Sequence, residues 1–283
     1  MYIEQIYTAC LAQASYYIES EGEAVIIDPI RDSLPYIELL KKRKAKLKYV
    51  LETHFHADFV SGHVELARLT ETKIIFGPNV ETGYDIISSN DQDEYRFGNL
   101  KIRVLHTPGH TLESVCYLLL SLNNHEEAIF TGDTLFIGEV GRPDLAVNSD
   151  LKSEDLAGLL YDSLHNILMK LPDSVIVYPG HGSGSACGKN ISKEKASTIG
   201  EQKQFNYALQ KMSKSQFIQI VLDDISAPPD YFIHDVTMNR EGYDPISIIL
   251  KKSLIKLSPE KIKFLIRKHA VLLDVRMPND FEK

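Results

Sequence analysis

The chain has 283 residues, 43% hydrophobic and 25% charged, which suits one large globular domain or two ordinary ones with an ample core. Lys and Arg number 31 against 39 Asp and Glu, a net charge of -8, and this balance argues against nucleic acid or an anionic membrane as the main partner. The opening MYIEQIYTACLAQ has no basic flank followed by an apolar stretch, no segment approaches transmembrane length, and Cys10, Cys116 and Cys187 are widely spaced, so the expectation is a reducing cytoplasm without a signal peptide or disulfide framework.

In chain order, Ser15 to Ile18 and Ala24 to Ile27 are rich in β-formers, and Glu21-Gly22 between them predicts a hairpin turn. A helix follows from about Asp32 to Lys46, with Leu34, Ile37 and Leu40 on one face; the lysines from Lys41 to Lys48 read as its solvated end. Leu47 to Glu52 is of strand length and runs into Thr53-His54-Phe55-His56-Ala57-Asp58-Phe59. In an extended backbone His54, His56 and Asp58 would share one side of the chain as imidazole and carboxylate metal ligands. Gly62 to Glu71 reads as a helix, Lys73 to Phe76 as the next strand, and Pro78 to Asp93 as surface loop. This βαβ rhythm predicts a layered α/β fold.

The strand-to-ligand arrangement then recurs. Leu100 to Leu105 leads into His106-Thr107-Pro108-Gly109-His110-Thr111, and Ala128 to Phe130 into Thr131-Gly132-Asp133. Ser174 to Val177 leads into Tyr178-Pro179-Gly180-His181-Gly182. Any one of these could be a core histidine or a turn aspartate, but four deliveries together point to a metal site at one edge of a sheet. Leu151 to Leu171 is an amphipathic helix with leucines three and four apart, and Ser192 to Asp223 reads as mostly helical until Ala227-Pro228-Pro229 breaks it. A loop-rich stretch is expected to about Ser247.

These motifs resemble the metallo-β-lactamase fold over roughly residues 1 to 245. The combination THFHADFVSGH, HTPGHT, TGDTLF, GRPDL and YPGHGSGSACGK looks like the persulfide dioxygenases, of the bacterial type fused to rhodanese domains. The resemblance implies an αβ/βα sandwich with the metal at one edge of two facing sheets. It also implies a homo-oligomer. One position departs from the two-metal hydrolases of that superfamily: Phe59 stands where they carry a second-site histidine, which puts a dinuclear hydrolase in doubt. By resemblance the ligands map to His54, His110 and Asp133, holding one Fe(II) per chain. Two histidines and one carboxylate are the facial arrangement of non-haem iron oxygenases, with three positions left for substrate and oxygen. The implied reaction is thiol persulfide plus O2 plus water giving thiol and sulfite. The sulfane sulfur gives up the four electrons that O2 accepts. A glyoxalase II-like thioester hydrolase is the alternative.

By the same resemblance His56, Asp58 and His181 orient ligands or bound water. Tyr178 either hydrogen-bonds near the iron or is a buried strand-end tyrosine. Arg142 either pairs with a carboxylate or phosphate of the carrier thiol or braces its loop. Cys187 either exchanges sulfur with substrate, or is oxidised, or is an inert small residue in a Gly-rich turn. After about residue 245, Leu257-Ser258-Pro259-Glu260 caps a helix, and the stretch from His269 to Phe281 resembles the opening of a rhodanese domain. The expected division is therefore 1 to 245 for the dioxygenase domain and 246 to 283 for a linker and rhodanese-like start, whose lone strand would be poorly ordered.

Overall fold

The computed structural model describes residues 1–146, 151–276 and 278–281. The chain divides into two compact units, Met1–Tyr243 and Asp244–Lys283. In the first, one sheet is built from β1 (Tyr2–Thr8), β2 (Gln13–Ser20), β3 (Glu23–Ile27), β4 (Lys46–Leu51), β5 (Lys73–Phe76) and β6 (Ile87–Ser88), in that spatial order. The other holds β7 (Glu94–Phe97), β8 (Leu100–His106), β9 (Val115–Ser121), β10 (Glu126–Gly132), β11 (Ile176–Pro179) and β12 (Ser197–Thr198), again in sequence order. Each sheet begins as an antiparallel meander and turns parallel, at β3 to β4 in one and β10 to β11 in the other. The parallel pairings need crossovers. The first sheet uses α1 (Leu34–Arg43) and α2 (His63–Thr70), and the second uses α3 (Ser153–Asn166).

Strand alternation distributes the apolar residues. Val25 and Ile27 face the second sheet, joining Ile102, Val104, Tyr117, Leu119 and Phe130 in the central layer. Ala24 and Ile26 point the other way, under Tyr36 and Leu40 of α1 and Leu66 of α2. On the far side Leu118, Leu120 and Ile129 meet Ala157, Leu160 and Leu164 of α3. Because both faces are covered, the strands read as nearly continuous apolar runs. The result is the αβ/βα sandwich expected from the motifs.

The expected loop from Pro78 to Asp93 contains β6. Ser192 to Asp223 is mostly helical, as expected, but in pieces: it contains β12, α4 (Ile199–Phe205) and α5 (Lys214–Leu222). Thr198 with Glu201, and Ser213 with Gln216, form capping boxes that restart the chain each time, and both pairs are visible in the sequence. The loop expected before Ser247 contains α6 (Phe232–Glu241), and the second unit begins with α7 (Ile246–Ser253). In that unit Ser258 caps α8 (Pro259–Arg267) as its sequence predicts, and α9 spans Pro278–Phe281. His269 to Arg276 forms no strand, and Val271, Leu272, Leu273 and Val275 are exposed. Met277 of the rhodanese-like motif lies outside the described residues.

Candidate metal centre

The ends of β4, β8, β10 and β11 deliver His54, His110, Asp133 and His181 to one edge of the sandwich. Two glycines permit the approach. Gly132 has a φ of +47°, and a Cβ there would sit 2.5 Å from Thr53 Oγ1; a Cβ on Gly141 would sit 1.9 Å from the Asp133 carbonyl oxygen.

His54, His110 and Asp133 come together with ligand atoms within 4.8 Å of one another, all buried. His54 Nε2 lies 3.9 Å and His110 Nε2 3.5 Å from Asp133 Oδ2. The hydrogen bonds behind them fix the tautomers. Thr53 Oγ1 donates its one proton to Asp28 Oδ2 at 2.8 Å, so it accepts from His54 Nδ1 at 2.9 Å. The Arg142 carbonyl can only accept, so His110 Nδ1 donates to it at 2.9 Å. Both imidazoles therefore turn an Nε2 lone pair inward. Asp133 Oδ2, between them, is buried without a hydrogen-bond partner. Two imidazole lone pairs and an orphaned carboxylate oxygen fit a divalent transition metal.

His181 bridges two carboxylates, Nδ1 to Asp133 Oδ1 at 2.7 Å and Nε2 to Asp58 Oδ2 at 2.8 Å. Burial alone would lower its pKa, but Asp133 and Asp58 outweigh burial and hold the ring well above its ordinary value. Burial likewise opposes ionisation of Asp133 and Asp58, and the His181 charge reverses this, keeping both carboxyls below their usual range. Burial, followed by the neighbouring His56, holds His54 well below its ordinary value.

His54 and His56 do lie together, their rings 4.3 Å apart, as expected of one side of the chain, but the ligand atoms of His54, His56 and Asp58 sort into different groups. The backbone bends at Thr53-His54 and again at Ala57-Asp58-Phe59. His54 turns to the three-ligand group and Asp58 to His181. His56 Nε2 turns to Asp28 Oδ1 at 3.2 Å and Glu52 Oε2 at 3.5 Å. Phe59 lies against the His56 ring at 4.4 Å. Tyr178 packs between the sheets, stacked on Phe130 at 5.2 Å and beside Tyr16. Arg142 spans both oxygens of Asp144 at 2.7 Å and reaches the carbonyls of Ala186 and Ser226, which makes it a loop brace. It also lines a cavity of about 440 Å³ with Lys189, Tyr207 and Ser226. Cys187 is buried beside Asp58 and His181 and against Phe136 and Ile191; burial pushes its thiol well above the ordinary range, away from thiolate chemistry.

Sequence reasoning missed Asp28, Glu52 and Asn239. The first two end apolar strands just as the ligands do, so the same rule would have found them. Asn239 on α6 donates to the carbonyls of His56 at 2.8 Å and Phe59 at 2.9 Å and accepts from the Ser61 amide at 2.9 Å. No local pattern marks it.

Residues 8–181 match the metallo-beta-lactamase superfamily. The chain belongs to that superfamily. Among solved members, a metallo-beta-lactamase from Staphylococcus aureus is 34% identical with a TM-score of 0.78, over 86% of this chain and 73% of that one. ETHE1 from Myxococcus xanthus is 29% identical with a TM-score of 0.72, over 85% of this chain and 98% of that one. A probable hydroxyacylglutathione hydrolase from Schizosaccharomyces pombe is 32% identical over 66% of this chain and 78% of its own length. His54, His110 and Asp133 thus form a buried group that could hold a metal in a chain of the metallo-beta-lactamase superfamily. Among the described residues no helix is long and apolar enough to cross a membrane.

Proposed function

We propose that the chain is a non-haem iron(II) persulfide dioxygenase, converting a low-molecular-weight thiol persulfide, O2 and water to thiol and sulfite. The observation that carries this reading is the composition of the site: two inward Nε2 lone pairs and one free Asp133 oxygen, with His56 turned away and Phe59 at the position of a second-site imidazole. The motif resemblance to persulfide dioxygenases and the likeness to ETHE1 support it together.

Iron(II), when bound by His54, His110 and Asp133, would supply adjacent open positions for sulfur and oxygen and a route for the four electrons between them. The protein supplies the rest. Thr53 and the Arg142 carbonyl lock the two imidazoles in their metal-binding tautomers. His181 pins Asp133 through Oδ1, leaving Oδ2 free, and its other nitrogen holds Asp58. Asp58, His181 and Cys187 form a further buried group that could hold a metal, so the count of one iron per chain rests on Phe59.

The named relatives favour a second reading, metal-dependent thioester hydrolysis, since the Schizosaccharomyces pombe protein carries a hydroxyacylglutathione hydrolase name. Oxygen consumption by iron-reconstituted protein, assayed with glutathione, coenzyme A and bacillithiol persulfides, separates the two. Persulfide-dependent uptake with one iron per chain is expected, whereas thioester cleavage without uptake would establish the hydrolase. Phe59→His should raise metal content toward about two per chain and lower oxygen uptake, because a metal-bridging hydroxide suits hydrolysis. Unchanged metal content and uptake would show that position 59 does not decide the reaction. For the short unit, the support for a rhodanese-like start is the resemblance of its sequence. It contains no cysteine, so sulfur transfer is not proposed for it.

A further inference from the structure

Asp58, His181 and Cys187 meet beside the iron ligands, with one ligand atom from each within 4.8 Å of the others. Among the described residues this is the one group of candidate ligands that includes a thiol. All three side chains are buried, and Asp58 at 8% exposure is the most open of them. Each is set in place by contacts of its own. The turn carrying Cys187 is tied on both sides of that residue: its carbonyl accepts from the Arg142 amide at 3.0 Å, and its amide donates to Ser185 Oγ at 3.1 Å. Phe136 and Ile191 wall the side chain. Asn239 holds the His56 and Phe59 carbonyls on either side of Asp58. His181 Nδ1 meets Asp133 Oδ1 at 2.7 Å, and its Nε2 faces Asp58 Oδ2 at 2.8 Å. The other Asp58 oxygen, Oδ1, is buried without a hydrogen-bond partner.

An imidazole with one nitrogen on a carboxylate and the other turned toward further ligand groups is oriented as metal-bound histidines are. The orphaned Asp58 oxygen calls for a cation, since buried oxygens are rarely left without a partner. We propose that Asp58, His181 Nε2 and Cys187 Sγ form a second metal site, selective for a thiophilic ion of the zinc class over iron. Phe59 denies this region an imidazole, and Cys187 brings it a thiol from a turn six residues past His181. One thiolate, one imidazole and one carboxylate suit zinc, with a fourth position left open. The apolar wall around Cys187 does not bar the metal, because a coordinating thiol is deprotonated outright. On binding, the ion takes the place of the hydrogen between His181 Nε2 and Asp58, and the thiol proton leaves to solvent. His181 Nδ1 keeps its bond to Asp133 Oδ1, while Asp133 Oδ2 stays with the iron ligands. Such a site is independent of the reaction at iron and leaves the iron count at one.

Cobalt(II) is the probe, because a thiolate bound to it gives a sulfur-to-metal charge-transfer band that imidazole and carboxylate ligands do not. It is added without oxygen to the iron-loaded full chain carrying Cys10→Ser, which removes the one exposed thiol. A single equivalent should saturate the band, and zinc(II) should then displace the cobalt and abolish it. Adding Cys187→Ser should leave no band. Asp58→Asn should weaken cobalt binding by at least the factor of about 10–100 that the loss of a partner behind a ligand costs. The site is overturned by an absent band, by a band that survives zinc or the loss of Cys187, or by an affinity that Asp58→Asn does not move, the mark of an isolated thiol. If Cys187→Ser does not fold, X-ray absorption of the zinc-loaded Cys10→Ser chain decides instead. A sulfur neighbour at about 2.3 Å supports the site, and nitrogen and oxygen neighbours alone refute it. Oxygen uptake is measured separately, so a chain that gives the band but consumes no oxygen would lose the dioxygenase reading and keep this site.

Discussion

Asp133 and His181 touch through one hydrogen bond, yet their removal should have opposite signatures. Asp133→Ala deletes the sole anion of the ligand group, and elemental analysis should find no iron and no oxygen uptake. His181→Ala should keep most of its iron, because His181 Nδ1 meets Asp133 Oδ1 and leaves Oδ2, His54 and His110 to the metal. It leaves Asp58 and Asp133 buried without their shared partner, so stability should fall by about 3–5 kcal/mol in denaturant titration. Loss of iron from His181→Ala as complete as from Asp133→Ala would make His181 a ligand. His63 makes a separate prediction. Burial, then His56, lowers its pKa from 6.5 to about 3. The ring stays neutral in the folded chain, while the unfolded chain takes up a proton below 6.5. Its contribution is therefore complete above pH 6.5 and lost toward about 3, at roughly 1.4 kcal/mol per pH unit. His63→Phe should make the urea stability curve shallower by about one proton between pH 6 and 4. An unchanged slope would show that His63 titrates alike in both states.

Helix α6 is what holds the metal loop to the body of the fold. Asn239 satisfies two carbonyls and one amide between His56 and Ser61, and Tyr84 donates to the Asn239 carbonyl at 2.5 Å. Asn239→Ala leaves those buried groups without partners, at about 1–3 kcal/mol each. Amide exchange at residues 56–61 should accelerate, and metal affinity should drop by a factor on the order of 10–100. Protection equal to the parent's would mean that the loop holds its shape unaided. On the opposite face, Leu160 of α3 is fully buried beneath Gly109 and against the sheet, and Leu160→Ala should cost about 2–5 kcal/mol with metal content unchanged.

The two compact units predict that a chain ending at Tyr243 keeps its metal and one cooperative unfolding transition, since α7 and α8 carry no buried residue. Loss of metal from that chain would refute it. Tyr243 must stay, because its hydroxyl binds the Ser61 carbonyl and accepts from the Val64 amide. Much of this architecture was legible without coordinates. Apolar runs ending in His or Asp beside glycine announce strands that deliver ligands to one edge, because strand length and turn chemistry are local properties. The three-ligand group His54, His110 and Asp133 came from motif resemblance, and the structure brings those atoms together. The direction of His56 could not be read in the same way. It depends on two backbone bends and on carboxylates 28 and 4 residues earlier in the chain, which oppose it only once β3 and β4 lie side by side. Asn239 reaches the same loop from about 180 residues away, and Arg142 became a brace only when Ser226 folded over it. Local chemistry set which residues could bind a metal; long-range packing set which nitrogens face it.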